Sequence, residues 1–382
     1  MLFAVAAGTN VPTPLLLVYK AQLHLSAQTL TALFGVYAAG LVPSLLSGGP
    51  LSDRFGRRRV LLPPVALSAL TSLLFVVAAH SIPLLFLARF LQGMVSGAVF
   101  SVGTAWVGEL SAGEGSGARR AAVAQSLGFC LGPLTSGLLG QYAPAPTTLP
   151  YLLHVVLVAT ALLAGRRLPE TVQLDRRHQA ERAREPLLRP GDGWSFVTVV
   201  APVAICVYAF PSVVISALPV LVDLPRGQGV VLTGVLSGLT LGASTLAAPQ
   251  QRRLGSTAPV IGALLGAAGY ALALVAARAD AYLLLVPGAL LLGAGGGLCL
   301  ASGLAMVAHL TQPERRGALT GVFYVSAYLG FAAPFATAIA AAQVGATVPL
   351  AVASSLCVLL AARLAVAARS GSLLRALSPI RA

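Results

Sequence analysis

Between Gly49 and Leu61 the chain reads G-P-L-S-D-R-F-G-R-R-R-V-L, with a long apolar run on either side. One acid, four arginines and two glycines fall within these thirteen residues. Two readings compete. In one, the stretch is a positively charged turn joining two membrane-crossing helices on the cytoplasmic side. In the other, the same turn is also a latch. Asp53 and the arginines Arg54, Arg57 and Arg58 clamp one packing of the helices, and Gly49 and Gly56 let the backbone reverse tightly.

Composition places the runs around that stretch in lipid. Of 382 residues, 57% are hydrophobic and 9% charged, with a mean hydropathy of +0.86. Soluble domains carry about 25% charge, so no water-soluble fold of this length would hide so much apolar surface. A crossing helix needs about 20 apolar residues. On that measure the segments fall near 2–19, 28–48, 60–79, 83–108, 119–141 and 148–165, then 196–222, 229–248, 257–277, 281–309, 317–340 and 347–368. The expectation is an all-α integral membrane protein with twelve transmembrane helices in two six-helix bundles. The bundles take residues 1–165 and 196–368, joined by a polar linker at 166–195 and followed by a tail at 369–382. Residues 1–19 lack a basic leader, so a cleavable signal peptide is not expected and a missing N-terminal extension is left open.

The basic residues set the orientation. With an even helix count, 21 of the 25 lysines and arginines fall on the side of both termini and the linker, and three on the other: Lys20, Arg226 and Arg278. The remaining one, Arg89, lies within a predicted helix. That bias predicts cytoplasmic termini in a multi-pass protein of the cytoplasmic membrane. It also accounts for the net charge of +14 without a nucleic-acid partner. Cys130, Cys206, Cys299 and Cys357 lie far apart without metal-ligand spacing and read as small buried side chains. No metal or cofactor is expected.

The halves share landmarks. Gly93 and Gly97 are followed 200 residues later by Gly293 and Gly297, Gly56 is followed 199 later by Gly255, and Pro133 is followed 201 later by Pro334. Near-equal offsets predict a duplicated, pseudo-symmetric six-helix unit, as transporters are built, with the substrate between the halves. Arg89 lies about two turns into predicted helix 4, and a charge there should face a cavity or a polar partner. Gln92 shares its face at i+3. Predicted helix 5 carries G-F-C-L-G-P-L-T-S-G from Gly128 to Gly137, with small residues for close packing and Pro133 for a bend.

These stretches carry a resemblance to the major facilitator superfamily, and within it to the twelve-helix drug:proton antiporter branch. Gly49, Leu51, Asp53, Arg54, Gly56, Arg57 and Arg58 match the G-x-L-x-D-R-x-G-R-R signature. Arg89, Gln92 and Gly93 match R-x-x-Q-G. Gly128, Gly132, Pro133 and Gly137 match the antiporter signature G-x-x-x-G-P-x-x-G-G, with Ser136 in place of one glycine. Leu168 to Thr171, L-P-E-T, also fits. The resemblance implies alternating access by rocking of two halves.

One departure bears on coupling. Antiporters of that branch often carry a carboxylate in the membrane, whereas the eleven acids here fall in turns, in the linker or near helix ends. Proton coupling would then use Arg89, His154 or Asp53, or be absent; His154 reads as a satisfied interfacial residue. The expected function is a monomeric secondary transporter of small amphipathic organic molecules, an efflux pump with protons as the coupling ion. The alternatives are a uniporter or importer of the same fold and, less well supported, a membrane enzyme or sensor, for which no catalytic motif is present. The substrate cavity is assigned to Asn10, Arg89, Gln92, Tyr208, Ser212, Tyr324 and Tyr328, polar or amphipathic groups in otherwise apolar runs. The latch is assigned to Gly49, Asp53, Arg54, Gly56, Arg57, Arg58 and Glu109. Asp53 is expected to favour closure against the start of helix 11 near Gly317, or by pairing with Arg315 or Arg316, with Glu109 and Glu114 holding the loop arginines.

Overall fold

The computed structural model describes residues 1–111, 116–171, 188, 192–311 and 316–370. Among the described residues the chain is helical and holds no strand. This is what lipid dictates for one chain without a barrel, because a helix satisfies its backbone internally. Ten stretches are long and apolar enough to cross a membrane. Every apolar segment of the sequence lies in a helix, and the difference between ten and the expected twelve has two sources. Leu149–Gly165 has only 17 residues. The run from Gly229 to Ala279 is a single 51-residue stretch, interrupted by short 3-10 turns at Ala248–Gln250 and Gly255–Thr257.

The chain divides into two compact units, Met1–Leu174 with Leu224–Gly238, and Asp175–Asp223 with Leu239–Ala382. The first contains α1 (Leu2–Asn10), α2 (Pro12–Leu23), α3 (Ala27–Phe55), α4 (Arg57–Ala78), α5 (Ile82–Leu110), α6 (Ser116–Tyr142) and α7 (Leu149–Gly165). Its core is a cluster around Val5, Val65, Val99, Trp106 and Val158. Glycines bring backbones into contact elsewhere. A Cβ on Gly93 or Gly97 of α5 would collide with the carbonyl oxygens of Tyr37 or Leu41 on α3. Gly128 and Gly132 of α6 press on α1 in the same way, at Phe3 and Ala7. Gly137 faces Gly234, whose Cα lies 2.9 Å from where a Cβ would be. Small residues at such spacing are how membrane helices associate where lipid offers no hydrophobic drive.

The second unit uses the same device. Gly293 and Gly297 of the Leu285–Leu310 helix meet the backbone of Thr240 and Ser244. Its opening stretch, Gly193 to Leu221, is not a plain α-helix: π turns occupy Phe196–Val200 and Val213–Ala217. Pro211 and Pro219 explain the second, because each removes a helical donor and the backbone shifts its register around them. A 3-10 turn at Leu329–Phe331 separates Arg316–Tyr328 from Ala332–Val344.

Close backbone contact predicts sharp intolerance of size. Gly93→Leu should lower the thermal midpoint in detergent by an amount matching at least about 1–3 kcal/mol, the usual cost of overpacking. Gly35→Ala is the control: nothing lies within 4 Å of its Cβ position, and the midpoint should hold or rise.

Candidate functional site

The polar interior of the first unit gathers at Val11, the junction of α1 and α2, which keeps helical dihedrals. Pro12 has no N–H, so the carbonyl of Gly8 loses its usual i+4 donor and accepts instead from Val11 N–H at 3.3 Å. Gln92 of α5 adds a second donor, its Nε2 lying 2.8 Å from Gly8 O. Arg89 completes the arrangement from one turn away. Its Nη1 donates to Gln92 Oε1 at 2.9 Å and to Thr9 O at 3.3 Å. The pair Arg89–Gln92 is thus buckled onto the backbone at Gly8 and Thr9, beside Asn10. Thr9 and Ser96 hydroxyls lie 3.1 Å apart, and Tyr37 hydrogen-bonds with both. Tyr19 and Tyr151 pair through their hydroxyls at 2.8 Å, with Phe75 stacked on Tyr151.

Arg89 is 2% exposed, so it does not snorkel to the interface. Its guanidinium carbon stands 5.7 Å from the Phe34 ring centre. Nε and Nη2 have no hydrogen-bond partner among the described residues. Each buried donor left this way costs about 1–3 kcal/mol, which a protein retains where the group has a task.

His154 corrects an expectation. It is satisfied, but buried inside the unit and not at an interface. Its Nδ1 lies 2.6 Å from Ser72 Oγ and its Nε2 3.0 Å from Ala4 O. A carbonyl only accepts, so Nε2 carries the proton and Ser72 donates to Nδ1. The ring fills the space that a side chain at Gly8 would need. The junction of α1 and α2 is therefore backed by His154 and held by Gln92.

In the second unit a matching exchange involves Pro334. Its missing N–H takes the i+4 donor from the carbonyl of Gly330, which accepts from Ala332 N–H instead, and Ser212 Oγ donates to that oxygen at 3.4 Å. Around this point the aromatic rings gather. Tyr208 stacks on Tyr328 with centres 4.7 Å apart and on Phe331 at 5.1 Å, and Tyr324 lies 6.4 Å from Tyr328. Tyr208, Ser212, Tyr324 and Tyr328, singled out in the sequence, are thus brought together in one unit, as Asn10, Arg89 and Gln92 are in the other. Phe331 was not singled out. Its place at i+3 from Tyr328 and i+7 from Tyr324 is the signal for it.

The charged stretch differs in detail from a loop. α3 continues to Phe55 and α4 starts at Arg57, so the turn is one residue, Gly56, at φ +98°. Gly49 lies inside α3 against Ser101 and takes no part in the reversal. Asp53 pairs with Arg57 at 2.6 Å, and Arg57 pairs with Glu109 of α5 at 2.8 Å. Glu170, just past α7, caps α4. Its carboxylate accepts from the backbone N–H of Arg57 at 2.8 Å and of Arg58 at 3.0 Å, as an anion at a helix N-terminus should. Thr171 donates to Glu109, and Trp106 Nε1 donates to Pro169 O at 3.2 Å. The L-P-E-T segment thereby belongs to the network, and Glu170 is its unforeseen member. Arg54 is exposed beside Phe55. Arg58 and Arg59 border a hollow of about 680 Å³ with Phe55, Leu62, Pro63 and Glu170. Glu114, Arg315 and the side chain of Arg316 lie outside the described residues.

The α6 signature acts in packing. Gly128 and Gly132 admit α1, Gly137 admits Gly234, and Ser136 returns its hydroxyl to Pro133 O at 3.3 Å.

The Major Facilitator Superfamily profile matches residues 1–275. The chain belongs to the major facilitator superfamily. Its curated relatives are multidrug resistance proteins, in keeping with the resemblance to the antiporter branch. It is 37% identical to multidrug resistance protein MdtL of Escherichia coli O157:H7 over 83 residues, covering 22% of this chain and 19% of that one. MdtL of Shewanella sp. (strain ANA-3) is 30% identical over 148 residues, 38% and 34% of the two chains. Multidrug resistance protein 2 of Bacillus subtilis (strain 168) is 22% identical over 183 residues, 47% and 44% of the two chains. The match therefore spans less than half the length of each of these relatives. In fold the chain is similar over 98% of its length, and 94% of the other's, to a peptide transporter POT mutant in complex with alafosfalin, with TM-score 0.80 and 16% identity. It is also similar to a D-xylose-proton symporter, with TM-score 0.72, 16% identity and 95% of each chain covered.

The cap makes a prediction. Glu170→Ala leaves two helix-end N–H groups without their acceptor and should destabilise the protein by about 1–2 kcal/mol, read as a lowered thermal midpoint. Gly56→Ala should do at least as much, since its Cβ would sit 2.6 Å from the Glu170 carboxylate at a positive φ.

Proposed function

We propose that this protein exports small amphipathic organic molecules across the cytoplasmic membrane by alternating access, with protons as the exchanged ion. The observation that carries the reading is the buried Arg89–Gln92 pair, fastened to the carbonyls of Gly8 and Thr9 in a largely apolar helix. A buried ionisable group within a membrane-spanning helix is the kind of residue that marks a substrate or ion pathway. The substrate cavity is assigned to Asn10, Arg89, Gln92, Tyr208, Ser212, Tyr324 and Tyr328. In this reading the chain crosses twelve times. Gly229–Ala279 counts as two crossings and Leu149–Gly165 as one, with cytoplasmic termini and six-helix bundles at 1–165 and 196–368. The equal offsets of Gly93, Gly97, Gly56 and Pro133 with Gly293, Gly297, Gly255 and Pro334 support a duplicated unit, and the two glycine pairs meet backbone in both places. The protein works as a monomer. Uniport or import is the second reading. One observation favours it: the described acids Asp53, Glu109, Glu170, Asp192, Asp223 and Asp280 all stand at helix ends or in turns.

The Asp53–Arg57–Glu109 network, with Glu170 behind it, is assigned as the element that sets the balance between inward- and outward-open states. The Asp53–Arg57 pair is half-exposed on the Asp53 side and such a pair is worth up to about 1 kcal/mol, roughly a fivefold shift of a two-state balance. Asp53→Asn should fold and reach the membrane, rest more often open to the cytoplasm and transport poorly. Accessibility of a cysteine on the inner cavity wall, in a background free of native cysteines, reads the balance; unchanged accessibility with normal transport removes the latch. Orientation has its own check. A cysteine at Arg167 should label only from the cytoplasm and one at Lys20 only from outside. Export itself is tested by substrate accumulation in cells with and without the protein, and in the same cells after the pH gradient is collapsed.

A further inference from the structure

We propose that Arg89 receives an anionic group of the transported molecule, so that the substrates are amphipathic organic anions. The inference rests on the export reading and names its substrate class. It starts from an inventory of charge. The described acids stand at helix ends or in turns, and Glu114, Asp175, Glu181, Glu185 and Glu314 fall, in sequence, between the described helices. A cation carried into the depth of the protein would meet no carboxylate. It would meet Arg89, eighth residue of α5, which lies roughly 10 Å along the helix from its first residue at 1.5 Å per residue.

The geometry of that guanidinium is specific. Both bonds it makes, to Gln92 Oε1 and to Thr9 O, come from Nη1. Gln92 is in turn anchored on Gly8 O, so the group is fixed in direction and does not swing. The atoms without partners among the described residues are Nε and Nη2. These two form one edge of the fork, with parallel N–H bonds at the spacing of the two oxygens of a carboxylate, sulfonate or phosphate. Gln92 is thus a positioning residue, and the edge it leaves open is the one that reads an oxyanion bidentately. Phe34 beside the guanidinium and the rings of Tyr19, Tyr37 and Tyr151 around it offer apolar surface to the rest of such a molecule.

The test compares charge at constant shape. The probes are 2-naphthalenesulfonate and 2-naphthoate as anions, 2-naphthol as the neutral form and 2-naphthylmethylammonium as the cation. Binding is read by thermal stabilisation of the full-length protein in detergent, and movement by uptake into proteoliposomes of neutral lipid. The anions should stabilise and be transported, and the cation should do neither. Arg89→Lys keeps the charge and loses the fork; anion binding should weaken about tenfold. Arg89→Gln keeps polarity without charge; it should weaken anion binding roughly a hundredfold and change that of 2-naphthol by much less. Comparison of the probes on the unaltered protein needs no variant, so poor folding of a variant does not decide the matter. Preference for the cation, or anion binding unchanged in a folded Arg89→Gln protein, overturns the proposal while leaving export standing. Anion binding that depends on Arg89 without any transport keeps the anion site but overturns its place in transport, and export is then decided by accumulation in cells alone.

Discussion

In lipid a backbone carbonyl without a donor has no water to turn to, and that constraint explains where this protein puts its few polar side chains. Two prolines strain it. Pro12 takes from Gly8 its i+4 donor and Pro334 takes from Gly330 its own, and a tighter backbone contact from Val11 or Ala332 stands in. Each such carbonyl is also met by a side chain from another helix, Gln92 in one unit and Ser212 in the other. Arg89, His154 and the tyrosine cluster then assemble around the same two points. The polar residues are therefore placed by what the backbone lacks, and the sites follow from the two prolines.

Much of this is legible from the sequence because lipid tolerates so few solutions. Apolar length places most helices to within a few residues, the end of α3 at Phe55 being the exception, and the paired glycines announce backbone contact through a spacing that few other constraints would produce. Arg89 stands out by its cost alone. What the sequence conceals is direction. The order of residues does not say that Gln92 reaches Gly8 rather than lipid, or that His154 points inward onto Gly8 and Ser72. Both follow from helix rotation, which is set by packing across distant parts of the chain. The same holds for Glu170. It reads as the end of a helix and acts as the cap of another, 113 residues away from Arg57.

The charged stretch shows how a strong local signal can mislead about shape. Four arginines and two glycines read as a charged turn filling the gap between segments that end at 48 and resume at 60. The chain instead keeps helical geometry through Asp53, Arg54 and Phe55 and reverses on Gly56 alone. The cause is the ion pairing. Asp53 and Arg57 are one helical turn apart in sequence, and Arg57 is drawn to Glu109 and made nearly inaccessible, at 9% exposed. A loop could not hold that guanidinium in place, whereas two rigid helix ends can.

The clasp between Leu168–Thr171 and the start of α4 also has a mechanical meaning. α7 ends at Gly165, but the chain is not released there. Trp106 grips Pro169, Glu170 is bolted to Arg57 and Arg58, and Thr171 is tied to Glu109. The strap is an anchor point. Tension arriving along the chain from beyond Thr171 is delivered sideways, as shear between α4 and α5, and not as a pull along the axis of α7. Helix-end clasps loaded in shear share the force over several bonds at once, so the first unit resists being frayed from its end and responds to a tug as one piece.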